Sequence, residues 1–336
     1  MTRTGCEFEG KRVLITGAAG FIGSRLLKDL LESRAEVVAF VDEESSLIRI
    51  QSLLDHPRLH LVRYPTTDIE TLANDRQQWG NIDSLAHLGL RVPHKNSFPD
   101  QAVADITLNL LPTLDLLRIL GHVGSICFAS SVAVYGRPVH LPVQEDDLPA
   151  PISSYGVTKL AIENYLRAYG EANQTPVTIL RYATVYGPGE LSHRAIPNFL
   201  NSLSKGQPPL IYGDGSETRD YVYVDDVVQA TARALLRKPI QVMNIGSGQG
   251  YTSQHIAQEV ARLYSADVMP KYLPRESEDI SLVCNISLAR QVLGYVPKTS
   301  LEEGLSNEIE WYRRDGINLS SAGEHEDRTW KAIIKT

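Results

Sequence analysis

Residues 12–24 read Arg12-Val13-Leu14-Ile15-Thr16-Gly17-Ala18-Ala19-Gly20-Phe21-Ile22-Gly23-Ser24. An apolar run of strand character passes without a spacer into a turn with glycines three apart, and a helical pattern leaves it. Glycine gives such a turn its backbone freedom, and at Gly20 it lets the chain approach a pyrophosphate closely. Gly23 permits close packing of helix on strand, and the helix amino end, with Phe21 and Ile22, faces the anion. By itself this turn is also compatible with a plain strand-to-helix connection. The second strand separates the two readings, because it ends Ala39-Phe40-Val41-Asp42. A carboxylate about twenty residues beyond the glycines can accept both ribose hydroxyls of a dinucleotide. Asp42, followed by Glu43 and Glu44, repels a 2′-phosphate, so the pattern favours NAD over NADP.

Outward from this turn, short apolar runs at 12–16, 36–41, 59–63, 82–88, 125–129 and 177–181 read as strands. They lack the polar alternation of a half-exposed strand, as expected of parallel strands covered on both faces. Helical periodicity fills 21–33, 100–120 and 153–172. Alternating strands and helices predict an α/β fold, a Rossmann-type doubly wound parallel sheet. After Tyr186 prolines punctuate shorter elements, with helices at 225–237 and 253–264. The division expected is a mainly dinucleotide-binding domain over 1–186, a smaller substrate-binding lobe over 187–316, and a polar tail over 317–336. Strand-like segments at 221–224 and 242–245 are candidates to return to the first sheet.

The bulk composition narrows the function classes. A net charge of -7 argues against a general nucleic-acid binder, since phosphate backbones select a basic face. An anionic small substrate remains compatible, because a few arginines can line a pocket of an acidic protein. Cys6, Cys127 and Cys284 are scattered and odd in number, which points to a reducing compartment and a cytoplasmic protein. The first eleven residues lack the apolar core of a signal peptide, and no run has the length of a membrane span.

Tyr155-Gly156-Val157-Thr158-Lys159 opens a helix announced by Pro151-Ile152-Ser153-Ser154. Residues four apart share a helical face, so the Lys159 ammonium can reach toward the Tyr155 phenol. A free phenol titrates near ~10, too high for a base at neutral pH. A neighbouring cation and a positively charged nicotinamide lower that value. Standing alone, the pair reads equally as a surface contact. It stands downstream of Phe128-Ala129-Ser130-Ser131-Val132-Ala133-Val134-Tyr135-Gly136, a strand end rich in hydroxyls, in which Tyr135 reads as a pocket wall or packing residue.

Together these motifs resemble the extended short-chain dehydrogenase/reductase family of NAD-dependent nucleotide-sugar epimerases and dehydratases, whose usual turn is TGxxGFIG. The likeness runs over residues 10–312 and is greatest to UDP-glucose (UDP-galactose) 4-epimerases. It implies that Ser131, Tyr155 and Lys159 are catalytic, with Tyr155 and Lys159 also touching the cofactor. It implies that Asp68 and Ile69 lie at the adenine, that Leu88 passes along the cofactor, and that Asn109 holds backbone geometry near the site. Leu180-Arg181-Tyr182-Ala183-Thr184-Val185-Tyr186-Gly187-Pro188 is similar to the family's LRYFNVYGP, with Ala183-Thr184 where Phe-Asn is usual. Gly213-Asp214-Gly215-Ser216-Glu217-Thr218-Arg219-Asp220-Tyr221 follows GDGxxxRDY. The resemblance thus implies substrate contacts from Ser131, Thr184, Arg219 and Arg275, the arginines on the diphosphate or nucleotide, where their fork suits phosphate oxygens. No metal is implied.

Departures from the pattern bear on the reaction. Dehydratases of this family carry Asp-Glu after the catalytic hydroxyl, and the decarboxylase branch tends to keep an acid there. Val132 and Ala133 stand in those places and transfer no proton. Epimerisation at C4 of a nucleotide-sugar, through a transient 4-keto intermediate, needs no such acid. A dehydratase, decarboxylase or ketoreductase remains the alternative within the family, and a non-catalytic NAD-binding scaffold the alternative outside it. Tyr223 and Asn285 replace a usual histidine and aspartate, and Arg91, His94 and Lys95 form a basic group that reads as substrate contact or solvated loop. The family's four-helix pairing implies a homodimer through the apolar faces of 100–120 and 153–172.

Overall fold

The computed structural model describes residues 6–64, 72–73, 76–90, 100–190, 194–275 and 280–316. Asp68, Ile69, Arg91, His94, Lys95 and the tail at 317–336 lie outside the described residues. The strands are β1 (Arg12–Thr16), β2 (Glu36–Asp42), β3 (Leu59–Tyr64), β4 (Ser84–His87), β5 (Ile126–Ser131), β6 (Val177–Tyr182), β7 (Thr184–Tyr186), β8 (Leu210–Tyr212), β9 (Thr218–Tyr223), β10 (Val242–Ile245), β11 (Gly250–Thr252) and β12 (Lys271–Leu273). Seven of them form one parallel sheet in the order β10-β6-β5-β4-β1-β2-β3, a doubly wound Rossmann-type α/β fold.

The uninterrupted apolar character of these strands follows from their two covered faces. In β1, Val13 and Ile15 point into one core and Leu14 into the other. In β2, Val37, Ala39 and Val41 share the first core, while Val38 and Phe40 share the second. Period-two alternation is therefore present in space but invisible in polarity. A third core, around Tyr186, Phe199, Leu200, Ile211, Tyr221, Ile256 and Ile309, belongs to the later part of the chain.

The helices that matter for the site are α1 (Phe21–Glu32), α2 (Asp100–Asp105), α3 (Leu111–Leu120), α4 (Ser154–Asn173), α5 (Ala195–Ser204), α6 (Val224–Arg237), α7 (Ser253–Leu263), α8 (Ser287–Leu293) and α9 (Leu301–Trp311). The stretch 100–120, expected as one helix, is broken by a π-helical turn at Ile106–Leu110. Pro112 sits in the first turn of α3 and donates no N–H, so the bonding register of the preceding turn relaxes there. Ser153 caps α4 by accepting from the Gly156 N–H, which fixes where that helix begins.

One expected return to the first sheet occurs and the other does not. Val242–Ile245 joins it as an edge strand beside β6. The segment near 221–224 instead belongs to β9, which pairs with β7 and β11 in a separate three-stranded sheet. Val224 already begins α6, where Asp225 and Asp226 occupy the first turn and suit its dipole. Among the described residues no helix is long and apolar enough to cross a membrane, and no cluster of His, Cys, Asp and Glu could hold a metal ion.

Asp220 ties β9 to two connections. Its buried carboxylate accepts from the Ser247 N–H and Oγ at 2.7 Å, the Gly248 N–H at 3.0 Å and the Cys284 N–H at 3.2 Å. Removing a buried acceptor leaves its donors unsatisfied. Asp220→Ala is expected to lower the unfolding free energy by about 3 kcal/mol in urea denaturation. A midpoint that stays in place would show that these bonds hold nothing together.

Candidate active site

The glycine turn is built backbone against backbone. Gly17 has φ +69°, and a Cβ there would lie 2.6 Å from Gly89 Cα. A Cβ on Gly23 would lie 2.0 Å from the Gly17 carbonyl oxygen. Both positions therefore exclude any side chain. Gly20 precedes α1 in extended conformation and supplies no side-chain cap, so the opening amides, Phe21 and Ile22 among them, keep their N–H groups for an outside acceptor. At the end of β2, Asp42 Oδ1 accepts from the Glu44 N–H at 3.0 Å, which sets the carboxylate's orientation. A pyrophosphate on the first feature and a ribose on the second is the arrangement a dinucleotide requires, so the residues present fit NAD. Leu88 lies between β4 and Gly89 on the same edge of the sheet.

A chain of hydrogen bonds fixes that edge. The Gly89 N–H donates to Thr16 Oγ1 at 2.9 Å, and Thr16 lies 2.8 Å from His87 Nδ1. His87 Nε2 is 2.9 Å from Thr113 Oγ1, which donates to the Asn109 carbonyl at 2.7 Å. With both threonine hydroxyls thus committed, Nδ1 accepts and Nε2 donates, a neutral imidazole. Burial, with the nearby Lys159 charge, pushes His87 down to about 3. It is a packed histidine that joins β1 to α3. Asn109 in turn contacts Asp105, and Asp105 accepts from Ser154 Oγ at 2.5 Å, so the π-helical turn is fastened to the start of α4.

Ser131 ends β5, and Tyr155 and Lys159 follow on α4. The structure brings all three together. Ser131 is close enough to Tyr155 to lower its phenol, and Ser131 Oγ accepts from the Ala133 N–H at 3.2 Å. Lys159 Nζ donates to the Ala129 carbonyl and stands 5.5 Å from the centre of the Tyr155 ring. Burial raises the Tyr155 phenol, against the lowering influence of Arg194 and of Ser131. Burial likewise pushes Lys159 down to about 7, opposed by Glu163. The ammonium is thus poised to lose or gain its proton near neutrality, and a bound cationic ring would shift the phenol toward its anion.

The expected substrate contacts sit on the later elements. Thr184 on β7 faces Tyr221 across the strand pair, and Arg219 on β9 is paired in register with Tyr251 of β11. Arg275 is held by Glu217 at 3.3 Å, and Glu217 also accepts from Ser253 Oγ at 2.7 Å. Tyr135, expected as a pocket wall or packing residue, is buried and donates to Asn244 Oδ1 at 2.7 Å. Tyr223 is buried in the third core, and Asn285 Oδ1 accepts from the Ser287 N–H at 2.9 Å.

Sequence reasoning passed over Glu163 and Arg194. Glu163 is four residues beyond Lys159 on the same face of α4, a spacing that could have marked it. Arg194 follows residues outside any motif; it stands before α5, and its charge lowers the Tyr155 phenol.

Residues 13–246 match the family described as the NAD dependent epimerase/dehydratase family. The chain is 32% identical over 314 residues to a UDP-glucose 4-epimerase of Mycolicibacterium smegmatis, covering 90% of this chain and 98% of that protein. Among solved structures, it is similar to the UDP-glucuronic acid 4-epimerase of Bacillus cereus in complex with UDP-glucuronic acid and NAD. That likeness has a TM-score of 0.81 at 31% identity, over 90% of this chain and 99% of the other. A UDP-glucose 4-epimerase of Thermotoga maritima with UDP-glucose gives a TM-score of 0.81 at 30% identity, with 90% and 99% covered.

Glu163→Gln tests what supports the site from beneath. It leaves Arg181 buried without its counter-ion, an expected cost of about 3–5 kcal/mol. It also removes the influence that keeps Lys159 protonated. Guanidinium denaturation reads the first effect, and a loss below about 1 kcal/mol would refute it.

Proposed function

The chain belongs to the NAD-dependent epimerase/dehydratase family, and we propose that it inverts C4 of a nucleotide-diphosphate sugar through a transient 4-keto sugar. The observation that carries this reading is the meeting of Ser131, Tyr155 and Lys159 at the strand ends, with Val132 and Ala133 beside them in place of an acid. Oxidation and re-reduction at one carbon need a single proton-transferring group, whereas loss of water needs another.

In this reading, Tyr155 as phenolate takes the proton of the C4 hydroxyl, and Ser131 holds that oxygen in place. Lys159 steadies the phenolate from one helical turn away and lies along the cofactor's ribose. Bound NAD supplies the acceptor, and then the donor, of the hydride at C4. The keto sugar turns over between the two transfers, and Tyr155 returns the proton to the oxygen. Gly17, Gly20, Phe21, Ile22 and Gly23 receive the pyrophosphate, Asp42 the adenosine ribose, and Leu88 one side of the cofactor. Asp68 and Ile69 are assigned to the adenine by motif alone. Thr184 contacts the sugar, and Arg219 and Arg275 hold the nucleotide diphosphate while the ring turns. Residues 1–186 mainly serve the cofactor and 187–316 mainly the substrate.

The same reading makes the protein a homodimer. Val103, Ile106 and Leu111 on the 100–120 stretch and Val157 and Tyr165 on α4 are large exposed apolar side chains, and they supply the faces for a four-helix pairing. The free thiols Cys6, Cys127 and Cys284 suit a cytoplasmic location.

Incubation with UDP-, dTDP- and GDP-sugars, followed by NMR of the products, is expected to show a C4 epimer with no net accumulation of reduced coenzyme. A deoxy-keto product would move the assignment to the dehydratase branch. Tyr155→Phe is expected to lower kcat by ~10²–10⁴-fold while leaving the coenzyme bound. Unaltered turnover in that variant removes Tyr155 from the mechanism. Sedimentation of Leu111→Glu is expected to give a monomer where the parent protein gives a dimer.

A further inference from the structure

Two arginines from the cofactor-binding part of the chain grip one turn of the later part. The turn is Gly187-Pro188-Gly189, which follows β7 directly. Arg25 Nη2, on α1, donates to the Pro188 carbonyl at 2.8 Å. Arg49, in a 3₁₀ helix at Ile48–Leu53, donates to the Gly189 carbonyl through Nε at 3.3 Å and Nη2 at 3.2 Å. Consecutive carbonyls of one turn are thus held from two separate elements, 163 and 140 residues earlier in the chain.

The backbone of the turn is shaped for this. Gly187 and Gly189 have φ of +135° and +94°, a region that favours glycine. A Cβ on Gly187 would lie 3.0 Å from the Tyr223 ring and from Val224 Cγ1, so the turn lies close on the junction of β9 and α6. The Glu190 N–H donates to the Gly187 carbonyl at 3.0 Å and closes the turn, and the next two carbonyls go to the arginines. Beside them is a cavity of about 540 Å³ lined by Phe21, Arg25, Arg49, Pro188, Gly189 and Trp311. Packing is incomplete along this boundary, which leaves the polar bonds to hold it.

Both ends of this clasp meet a part of the site. Arg25 lies one helical turn after Phe21 on the same face of α1, and a Cβ on Gly189 would stand 3.7 Å from Phe21 Cδ2. Arg25 Nη1 also donates to Asp225 Oδ1 at 2.7 Å, so one guanidinium joins α1, the turn and the first turn of α6. At the other end, β7 carries Thr184 and pairs with β9, which carries Arg219. A short path therefore runs from the glycine turn through Arg25 and Arg49 to the strands assigned to the substrate.

We propose that Arg25 and Arg49 are positioning residues that hold the substrate strands in place against the cofactor turn. Neither touches the reacting atoms. The clasp sets one ligand against the other and leaves the contacts within each site as they are. A misplacement of about 1 Å between reacting groups costs ~10²-fold in rate. As an ion pair, Arg25–Asp225 is partly exposed on both sides, at 30% and 56%, and such a pair adds little to stability. Its use lies in direction, because a guanidinium fork serves two acceptors at fixed angles. The inference rests on the proposed function only for the hydride step that this placement serves.

The test uses the full-length protein with NAD bound and its variants Arg25→Met and Arg49→Met. Hydrogen exchange reads the Glu190 amide, calorimetry reads the Kd for UDP, and turnover is followed with whichever nucleotide-sugar the parent converts. In each variant, Glu190 exchange is expected to quicken about tenfold and kcat to fall ~10–10²-fold, with the UDP Kd within about twofold of the parent. Arg25→Lys, which cannot fork to two acceptors, is expected to regain only part of kcat. Unchanged Glu190 exchange shows that the clasp holds nothing and overturns the proposal. Faster exchange with unchanged kcat also overturns it. So does a UDP Kd weakened as much as kcat, since the arginines then serve binding itself. A parent that inverts no nucleotide-sugar counts against the proposed function, and Glu190 exchange still decides whether the clasp holds the turn.

Discussion

The buried ion pair between Glu163 and Arg181 is the contact on which the wall of the candidate active site depends. One partner is on α4 and the other on β6, and both are sealed from water, at 0% and 1% exposure. Enclosing two charges is costly, and only close geometry with further bonds offsets it. Here Nε meets Oε1 at 3.0 Å and Nη2 meets Oε2 at 2.7 Å. Ser130 Oγ adds a donor to the carboxylate, and the guanidinium lies 4.8 Å over the Tyr135 ring. Tyr155, Lys159 and Glu163 follow one another at four-residue intervals, so they share a face of the helix. Fixing the rotation of α4 at Glu163 therefore fixes the direction of the phenol and the ammonium. A slip by one residue turns the helix by about 100° and carries both out of the cleft.

What the sequence revealed was the part of the structure encoded locally. The glycine turn, the strand-end Asp42 and the Tyr155–Lys159 spacing are each set by neighbours a few residues away, and each could be read from those neighbours. The two-sided core was legible for the same reason, since covered strands lose their polar faces. The π-helical turn was not, although Pro112 was in view. Proline announces that a helical register must change, but whether the helix ends or bulges depends on what holds its far side. Here that is Asp105 fastened to Ser154 and Thr113 fastened between His87 and Asn109. The misplacement of 221–224 has a similar origin. A short β-branched and aromatic run specifies a strand but not its partner, and β9 finds its partners in β7 and β11.

The edge formed by Thr16, His87 and Ser131 shows how a polar site is kept rigid inside an apolar sheet. Each strand end carries one hydrogen-bonding side chain, and the parallel register sets Thr16 beside His87. The donors run in one direction, from Gly89 through Thr16 and His87 to Thr113 and Asn109. Such a chain leaves no spare proton at His87. In the proposed mechanism the titratable work falls to Tyr155 and Lys159, whose surroundings oppose their charged forms.

Three of the glutamate–arginine pairs among the described residues differ in one respect, and that respect separates support from presentation. In Glu163–Arg181 both side chains are buried, so the charge is consumed inside the wall. In Glu190–Arg194 and Glu217–Arg275 the glutamate side chains are 3% and 5% exposed, whereas the arginine side chains are 50% and 26% exposed. A carboxylate beside an arginine restrains its rotamers and fixes where its charge sits. In the proposed function this lets a chain with a net charge of -7 meet an anionic substrate with arginines. Net charge counts both members of every pair, while a ligand meets only the member that faces it. Charge reversal at Glu190 or Glu217 therefore acts on the cleft indirectly, by freeing an arginine from its root.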